Sequence, residues 1–229
     1  MNAVVLLGAP GAGKGTQAPL LAARLGIPVV ATGDLFRAAV RDGTSLGMEA
    51  RRYMDAGQLV PDQITVRLLL ERLGRDDAAG GVILDGFPRT RVQAQALDEA
   101  LAERGARVAA AVLVDVPGEE LIRRMSGRWI CRAAGHPYHE RFSPPNVPGI
   151  CDLDGSELYQ RADDKPDTIR ARMAQQLDAL NDVIEHYATS GVLRTVNGLQ
   201  GIPEVAQAIT VGLEGTGIEP AGTTERAAG

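Results

Sequence analysis

The sequence predicts an α/β fold in which a parallel sheet is sandwiched between helices, and three observations support this prediction. Short apolar runs recur along the 229 residues, each next to a longer stretch whose apolar residues have helical spacing. The first run leads straight into a glycine-rich loop and then into a helical stretch. The sequence has no repeat with a period of about 20 to 50 residues, which excludes solenoids and propellers. Alternating strands and helices of this kind form a mostly parallel sheet covered on both faces.

In chain order, the apolar runs predict strands at residues 3–7, 82–84, 108–114 and 192–196. Helical spacing predicts eight helices, at residues 13–25, 33–41, 46–55, 62–73, 90–104, 117–125, 165–187 and 202–213. Both periodicities stop between residues 128 and 164, where glycine, proline, histidine and aromatic residues are frequent. We interpret this stretch as an inserted, loop-rich subdomain.

The end of the chain and its composition restrict the class of protein. Residues 214–229 are polar and glycine-rich, so we expect a flexible tail that buries too little apolar surface to offset its ordering entropy. A net charge of −5 argues against a protein that coats nucleic acid or an anionic membrane. The sequence contains neither a basic leader nor an apolar run of ~18 residues, so we expect no signal peptide and no membrane span. Two cysteines are too few for a secreted disulfide framework, and no heptad pattern indicates a partner, so we expect a cytoplasmic monomer.

The loop after the first predicted strand reads GAPGAGKGT at residues 8–16. Its backbone N–H groups and the following helix N-terminus can bind an anion, and Lys14 can reach the outer phosphates of a nucleotide. The common pattern G-x-x-x-x-G-K-[ST] is shifted by one place, because Gly15 occupies the hydroxyl position and Thr16 follows it. An ordinary glycine turn is the alternative, but strand, glycines, lysine and threonine together favour a phosphate site.

This loop resembles the variant phosphate-binding loop of nucleoside monophosphate kinases, and of the adenylate kinase family above all. Four further segments resemble motifs of that family in the same order: ATGDLFR at 31–37, DAGQLVPD at 55–62, DGFPRT at 85–90 with Gln93, and QRADD at 160–164. The resemblance runs from residue 4 to about residue 213. It implies reversible transfer of the terminal phosphoryl group of MgATP to AMP, giving two ADP. It also implies a P-loop core at 1–30, 61–126 and 165–213, a helical AMP-binding insert at 31–60 and a lid at 127–164.

Arginines are the second signal of phosphoryl transfer. The reaction brings two polyanions together, so its site needs cations that neutralise the moving charge. Arg124 and Arg128 lie four residues apart at the end of a predicted helix, where we expect them to share a face with an anion between them. A single arginine is better explained as a solvated surface residue, but the motifs favour a site role for six: Arg37, Arg89, Arg124, Arg128, Arg161 and Arg172.

The resemblance implies a role for each matched residue. Lys14, Arg89, Arg124, Arg128, Arg161, Arg172 and Asp85 are implied to be catalytic. Those implied to bind ATP are Gly11, Ala12, Gly13, Lys14, Gly15, Thr16, Arg128, Pro137, Tyr138 and Gln200. Those implied to bind AMP are Thr32, Arg37, Gln58, Leu59, Val60, Gly86, Phe87, Pro88, Arg89, Gln93, Arg161 and Arg172. The Gln93 amide offers a donor and an acceptor to a base edge, which alone does not decide adenine against cytosine. For Tyr138, packing within the inserted loop is an equal alternative.

Mg²⁺ is expected with ATP. Asp85 follows an apolar strand at its carboxyl end, where ligands bind in such sheets, and its carboxylate can orient the water shell of the ion. The alternative role for Asp85 is a helix N-cap. Because residue 15 is glycine, we expect phosphate oxygens and water to hold the ion, with Thr16 nearby.

The cysteines raise the question of a structural zinc, which many lids of this family hold. The four positions that resemble the zinc ligands are Cys131, Ala134, Cys151 and Asp154. A site with three ligands and a methyl group in the fourth place is open to water and binds zinc less tightly. His136 or His139 is the alternative that could complete the set. His136, however, is displaced by two residues from the ligand position and is followed by Pro137, and His139 resembles a position that the family keeps for other reasons. We therefore expect no metal-ligating residues and a lid without zinc, in which both cysteines are reduced packing residues.

Two other functions compete with this interpretation. A kinase of GMP, UMP or CMP would use the same phosphate machinery, although Thr32, Gln93 and the long lid favour AMP. A nucleotide-binding switch without catalysis would use only the loop. The guanine-reading pattern Asn-Lys-x-Asp does not occur in the sequence, and a switch has little use for six convergent arginines.

Overall fold

The computed structural model describes residues 2–56, 58–160 and 166–218, and within 166–175 it describes the side chain of Ile169 alone. Its centre is a five-stranded parallel sheet with the strand order β2-β3-β1-β4-β8. The strands are β1 (Ala3–Leu7), β2 (Val29–Ala31), β3 (Val82–Asp85), β4 (Val108–Asp115) and β8 (Leu193–Asn197). This arrangement confirms the predicted fold class.

The described residues contain eight α-helices. They are α1 (Lys14–Leu25), α2 (Thr32–Arg41), α3 (Ser45–Asp55), α4 (Asp62–Leu73), α5 (Arg91–Ala102), α6 (Gly118–Ser126), α7 (Pro166–Thr189) and α8 (Ile202–Gly212). The eight helices predicted from apolar spacing are all present, with small shifts at their ends. One strand of the central sheet, β2, was not predicted, because a three-residue strand has no periodicity to detect.

The core lies on both faces of the central sheet. β1 is completely buried, and its side chains alternate between the faces. Val4 and Leu6 pack against α1, α6 and α8, whereas Val5 and Leu7 pack against α4, α5 and the end of α7. Because both faces are covered, the functional groups are confined to the ends of the strands and to the loops that follow them.

Two small clusters of buried residues lie in the stretches predicted to be inserts. Residues of α2, α3 and the start of α4 enclose Phe36, Ala50, Val60 and Ile64. The second insert, which we call the lid (residues 127–164), contains an antiparallel sheet with the order β6-β5-β7. Its strands are β5 (Arg128–Cys131), β6 (Pro137–His139) and β7 (Leu158–Tyr159). The stretch predicted as loop-rich therefore contains a sheet, whose strands are too short to give a period-2 signal. The division into core, inserts and lid stays a prediction.

Two described residues of the lid bond to the backbone at the end of α6. The Gln160 side-chain amide donates to the Ser126 carbonyl at 3.0 Å, and the Glu140 backbone N–H donates to the Gly127 carbonyl at 3.0 Å. Gly127 is also pressed against the lid, because a Cβ there would lie 2.6 Å from Cε1 of His139. The helix therefore ends at Ser126, and Arg128 begins β5. The expectation that Arg124 and Arg128 share a helix face is wrong for this reason.

The end of the described chain packs more closely than its composition suggests. Residues 214–218 form turns in which Thr216 is buried and Ile218 contacts the core cluster on the α1 side of the sheet. The Thr216 hydroxyl donates to the Leu213 carbonyl at 2.6 Å. Residues 214–218, which the composition predicts to be flexible, therefore pack against the core, and residues 219–229 lie outside the described residues. Among the residues described, no helix is both long and apolar enough to cross a membrane.

Candidate active site

The glycine-rich loop connects β1 to α1 through backbone conformations that only glycine adopts easily. Gly11 has φ +86°, and a Cβ there would lie 2.8 Å from Cγ of Met125. A Cβ on Gly8 would lie 2.8 Å from the Val114 carbonyl oxygen. Gly13 precedes the first residue of α1 with φ +101° and has open space where a Cβ would lie. The loop therefore packs closely against β4 and α6 on one side, and the N-terminus of α1 is open to an anion.

Lys14 folds back over this loop. Its Nζ donates to the carbonyl oxygens of Gly8 at 2.6 Å and Ala9 at 3.1 Å. The ammonium group is thus held above the loop that would carry the phosphates. The residues predicted to hold ATP phosphates form one continuous loop and helical turn: Gly11, Ala12, Gly13, Lys14, Gly15 and Thr16.

Asp85 ends β3 and faces the first turn of α1. Its Oδ2 lies 3.6 Å from the position that a Cβ of Gly15 would occupy. Both residues line a cavity of about 450 Å³ together with Asp34. The alternative role as a helix cap is excluded, because the Thr90 hydroxyl caps α5 by accepting from the Gln93 backbone N–H at 3.2 Å.

Three residues predicted to bind AMP meet at one carbonyl group. The Gly86 oxygen accepts from the Thr32 hydroxyl at 2.8 Å and from Nε of Arg89 at 2.7 Å. Gly86 has φ +75°, and a Cβ there would lie 2.9 Å from Nη2 of Arg89. Phe87 and Pro88 follow, both buried and joined by a cis peptide bond. Arg89 is therefore held close to the carboxyl end of β3.

The remaining AMP candidates lie on the insert and at its return to the core. Arg37 is exposed at 42% of its side chain and forms an ion pair with Asp34, one turn earlier on α2. Gln58 is exposed, Leu59 is half-buried and Val60 is buried just before α4. Thr32 begins the same helix, α2, that carries Arg37, whereas Gln58, Leu59 and Val60 lie on the segment that leads into α4.

Gln93 is 1% exposed, and its side-chain amide is held by two hydrogen bonds. Oε1 accepts from the Arg89 backbone N–H at 2.8 Å, and Nε2 donates to Oδ1 of Asp62 at 2.7 Å. Sequence reasoning gave Asp62 no role. The only signal that could have found it is its place at the end of the DAGQLVPD segment, 31 positions before Gln93.

Arg124 joins α6 to the segment predicted to contact the ATP base. Its Nε donates to Oε1 of Glu120 at 2.9 Å, and its Nη2 donates to the Gly198 carbonyl at 2.9 Å. Burial opposes ionisation of Glu120, but hydrogen bonds from Arg124 and Arg123 outweigh it and lower the pKa of this carboxyl. Gln200 lies exposed two residues beyond Gly198. Arg124 is thus positioned close to both the lid and the predicted base site.

The lid contains two further ATP candidates. Tyr138 is buried within the lid, where its hydroxyl accepts from the Asp152 backbone N–H at 2.7 Å and contacts Sγ of Cys151 at 3.4 Å. Its side chain therefore packs inside the lid, in agreement with the alternative given for it, whereas Pro137 is exposed. Of the catalytic candidates on or near the lid, Arg128 begins β5 and is half-buried. Arg161 lies outside the described residues, and Arg172 lies on α7 with its side chain outside them.

Four side chains of the lid bring potential metal ligands together. The ligand atoms of Cys131, His136, Cys151 and Asp154 all lie within 4.8 Å of one another. Nδ1 of His136 lies 3.3 Å from Sγ of Cys151 and 3.4 Å from Oδ2 of Asp154, and that carboxylate oxygen accepts from Sγ of Cys131 at 3.0 Å. Tetrahedral zinc with sulfur, nitrogen and oxygen ligands requires separations of ~3 to 4 Å between ligand atoms. The four residues therefore fit zinc.

A tight turn explains why His136 joins this group. The Gly135 backbone N–H donates to the Cys131 carbonyl at 3.0 Å, and the Cys131 N–H donates to the His136 carbonyl at 2.9 Å. The left-handed conformation of Gly135, with φ +77°, returns the chain so that His136 lies beside Cys131. Ala134 therefore does not limit this group to three potential ligands, because His136 supplies a fourth potential ligand atom from two positions further along.

The environment of Cys131 also favours a thiolate. Burial and Asp154 oppose its ionisation, but hydrogen bonds from the Ser156 hydroxyl and the Ala134 N–H lower the pKa of the thiol to about 7. The Ala134 N–H lies 3.3 Å from Sγ. Thiolate is the form of cysteine that binds metal ions.

Comparisons with known proteins cover most of the chain. A family model described as Adenylate kinase matches residues 6–192. Adenylate kinase from Staphylococcus epidermidis is 46% identical over 202 residues, which cover 88% of this chain and 94% of that protein. Adenylate kinase from Listeria monocytogenes is 47% identical over 202 residues with the same coverage. Adenylate kinase from Staphylococcus aureus is 45% identical over 204 residues, with 89% and 95% coverage.

Proposed function

The chain belongs to the adenylate kinase family, and we propose that it transfers the terminal phosphoryl group of ATP to AMP, reversibly, giving two ADP. One observation supports this proposal most directly. The phosphate loop after β1 and the Asp85–Arg89 segment after β3 meet at the carboxyl end of adjacent parallel strands. Parallel sheets bind their ligands at this edge, so a donor and an acceptor nucleotide can be held side by side there.

On the donor side, the N–H groups of the loop at residues 11–16 and the Lys14 ammonium hold the ATP phosphates. Mg²⁺ is bound as part of MgATP, where it neutralises charge on the donor phosphates. Asp85 would orient the water shell of the ion, and its carboxylate faces the α1 turn at Gly15. Pro137, the backbone at Tyr138 and the segment around Gln200 enclose the base.

On the acceptor side, two arginines bind the phosphate of AMP and smaller groups hold its nucleoside. Arg37 and Arg89 grip the monophosphate, and Gly86, Phe87 and Pro88 set the position of Arg89. The residues that hold the nucleoside are Thr32, Gln58, Leu59, Val60 and Gln93.

Transfer of the phosphoryl group needs neutralisation of its charge more than covalent chemistry. Lys14 and Arg89 supply positive charge from the core. Arg124, Arg128, Arg161 and Arg172 add charge from α6, the lid and α7, and they surround the group only when the lid closes. Water is excluded at the same time, which prevents hydrolysis of ATP.

We also propose that the protein acts as a cytoplasmic monomer whose partners are ATP, AMP and ADP, without nucleic acid or membrane. Its net charge of −5 and its two unpaired cysteines support this setting. In the lid, we propose a structural zinc held by Cys131, His136, Cys151 and Asp154. The ion would join the turn after β5 to the loop before β7, and it takes no part in the transfer.

A coupled assay of ATP with AMP in the presence of Mg²⁺ tests the function. We expect ADP to form with AMP at a kcat/KM well above that with GMP, UMP or CMP. Binding of ATP without formation of ADP would replace this proposal with that of a nucleotide-binding switch. Faster turnover of another monophosphate would replace AMP as the acceptor.

Replacing Arg37 by alanine is expected to raise the KM for AMP at least ~10-fold and to leave the KM for ATP within about twofold, because one charge-assisted contact to the monophosphate is lost. Initial rates measured against each nucleotide in turn give the two constants. The control is Arg41→Ala on the same helix, whose side chain is exposed and paired with Asp42. An equal rise of the KM for AMP and for ATP in Arg37→Ala would contradict the assignment of Arg37 to the AMP pocket.

A further inference from the structure

The orientation of the Gln93 amide is fixed by its two neighbours. The Arg89 backbone N–H is only a donor, so the atom 2.8 Å from it is the amide oxygen. The Asp62 carboxylate oxygen accepts, so the atom 2.7 Å from its Oδ1 is the amide nitrogen. A rotation of the amide by 180° would place oxygen against carboxylate and NH₂ against N–H. Both contacts would then become repulsive.

These bonds leave part of the amide unused. Each of its two polar atoms has one partner in the described structure. An amide oxygen accepts two hydrogen bonds and an amide nitrogen donates two. One acceptor position and one N–H therefore have no hydrogen bond within the described structure, and the Arg89 N–H and the Asp62 carboxylate together fix which side of the amide carries each.

This arrangement matches one class of purine. A 6-aminopurine presents a donor at its amino group and an acceptor at N1, which pair with the oxygen and the N–H of the amide. A 6-oxopurine presents the reverse pattern, an acceptor at O6 and a donor at N1. It can pair with Gln93 only after the amide rotates. A buried hydrogen-bonding group that meets the wrong pattern is left unsatisfied, which is how such sites reject analogues.

We propose that Asp62 is a specificity-determining, positioning residue that fixes the Gln93 amide for a 6-aminopurine monophosphate against a 6-oxopurine monophosphate. This inference rests on the proposed function, in which Gln93 faces the acceptor base. Asp62 acts through Gln93 and does not itself touch the reacting phosphates. Its place at the start of α4, directly after Val60 and Pro61, puts it behind the segment that holds the nucleoside.

A purely structural role for Asp62 makes a different prediction. Asp62 is an acidic residue in the first turn of α4, where a carboxylate stabilises the helix dipole. Loss of that interaction would lower stability and would lower the rates with both classes of acceptor alike. The ratio of the two rates separates the roles.

The experiment compares AMP with IMP, which differs from AMP in carrying a 6-oxo group and a proton on N1. Asp62→Asn keeps the shape of the side chain but can present either an acceptor or a donor, so that only the Arg89 backbone N–H still opposes rotation of the Gln93 amide. We expect the preference for AMP over IMP in kcat/KM to fall at least ~10-fold, the scale of one hydrogen bond to a charged group. Asp62→Ala, which removes the polar group altogether, is expected to lower the preference in the same direction.

Glu71→Gln is the matched control, because Glu71 lies on the same helix in an exposed ion pair with Arg67. The preference of Glu71→Gln for AMP over IMP in kcat/KM should equal that of the unchanged protein. An unchanged preference in Asp62→Asn and Asp62→Ala would overturn the role of Asp62, even where both variants turn over AMP more slowly. Failure of the unchanged protein to use AMP would overturn the proposed function instead, so the two failures are distinct.

Discussion

Replacing Lys14 by methionine is expected to lower kcat for ATP and AMP at least ~10²-fold, the scale of losing one preorganised charge at a developing anion. Methionine is an unbranched side chain one atom shorter than lysine, and it removes the ammonium group. Nζ of Lys14 already lies over the phosphate loop, 2.6 Å from the Gly8 carbonyl, so ATP meets a charge that needs little reorganisation. A coupled assay at saturating ATP and AMP measures the loss.

The control for this prediction lies on the same helix. Arg24 donates hydrogen bonds to Gln207 and Thr210 of α8, away from the loop. Arg24→Met should therefore leave kcat within about twofold. Thermal unfolding measures any loss of stability from the missing contact with α8. Near-normal kcat in Lys14→Met would contradict the role given to Lys14.

Removal of zinc from the lid is the second change with a large expected effect. Protein purified without chelator and then dialysed should contain one mole of zinc per chain. Stripping the metal with a chelator should lower Tm by at least ~4 °C, because a loss of about 1 to 2 kcal/mol shifts Tm by that amount in a domain of this size. The physical reason is that binding to a folded site contributes directly to folding free energy. Elemental analysis and thermal melting measure the two quantities.

Variants test which side chains hold the ion. His136→Ala and Cys151→Ser should each lower the zinc content. His186→Ala should keep one equivalent, because His186 lies on α7 and pairs with Asp98. Trace metal with an unchanged Tm after chelation would instead support the lid without zinc that the sequence predicts.

The phosphate loop was predictable because its pattern is local: glycines, lysine and threonine follow one another directly after an apolar strand. The acceptor motif at 85–90 was predictable for the same reason. The place of Arg128 was not, because the end of α6 depends on the contact of Gly127 with His139, twelve positions away. Spacing along a helix cannot reveal a steric contact with a strand of the lid.

Two contacts in the structure could not be predicted from sequence patterns: His136 with the cysteines, and Asp62 with Gln93. His136 reaches the cysteines through a turn at Gly135, so a search for ligands at fixed spacing misses it. Asp62 contacts Gln93 because α4 and α5 pack against each other, and no local pattern around either residue indicates this contact. The residues of a motif were predictable, but the partner that fixes the orientation of a side chain was not.

The junction at Ser126 and Gly127 also bears on how such a protein can change over generations. Within the described residues, the lid is bonded to the end of α6 at this junction, by Gln160 to Ser126 and by Glu140 to Gly127. Its small core of Cys131, Tyr138, Cys151 and Leu158 is separate from the two clusters that pack on the central sheet. Insertions, deletions or a new set of ligands can therefore accumulate in the lid without shifting the register of any strand in that sheet. The lid is a replaceable module, and its chemistry can diverge while the phosphate-binding core is inherited unchanged.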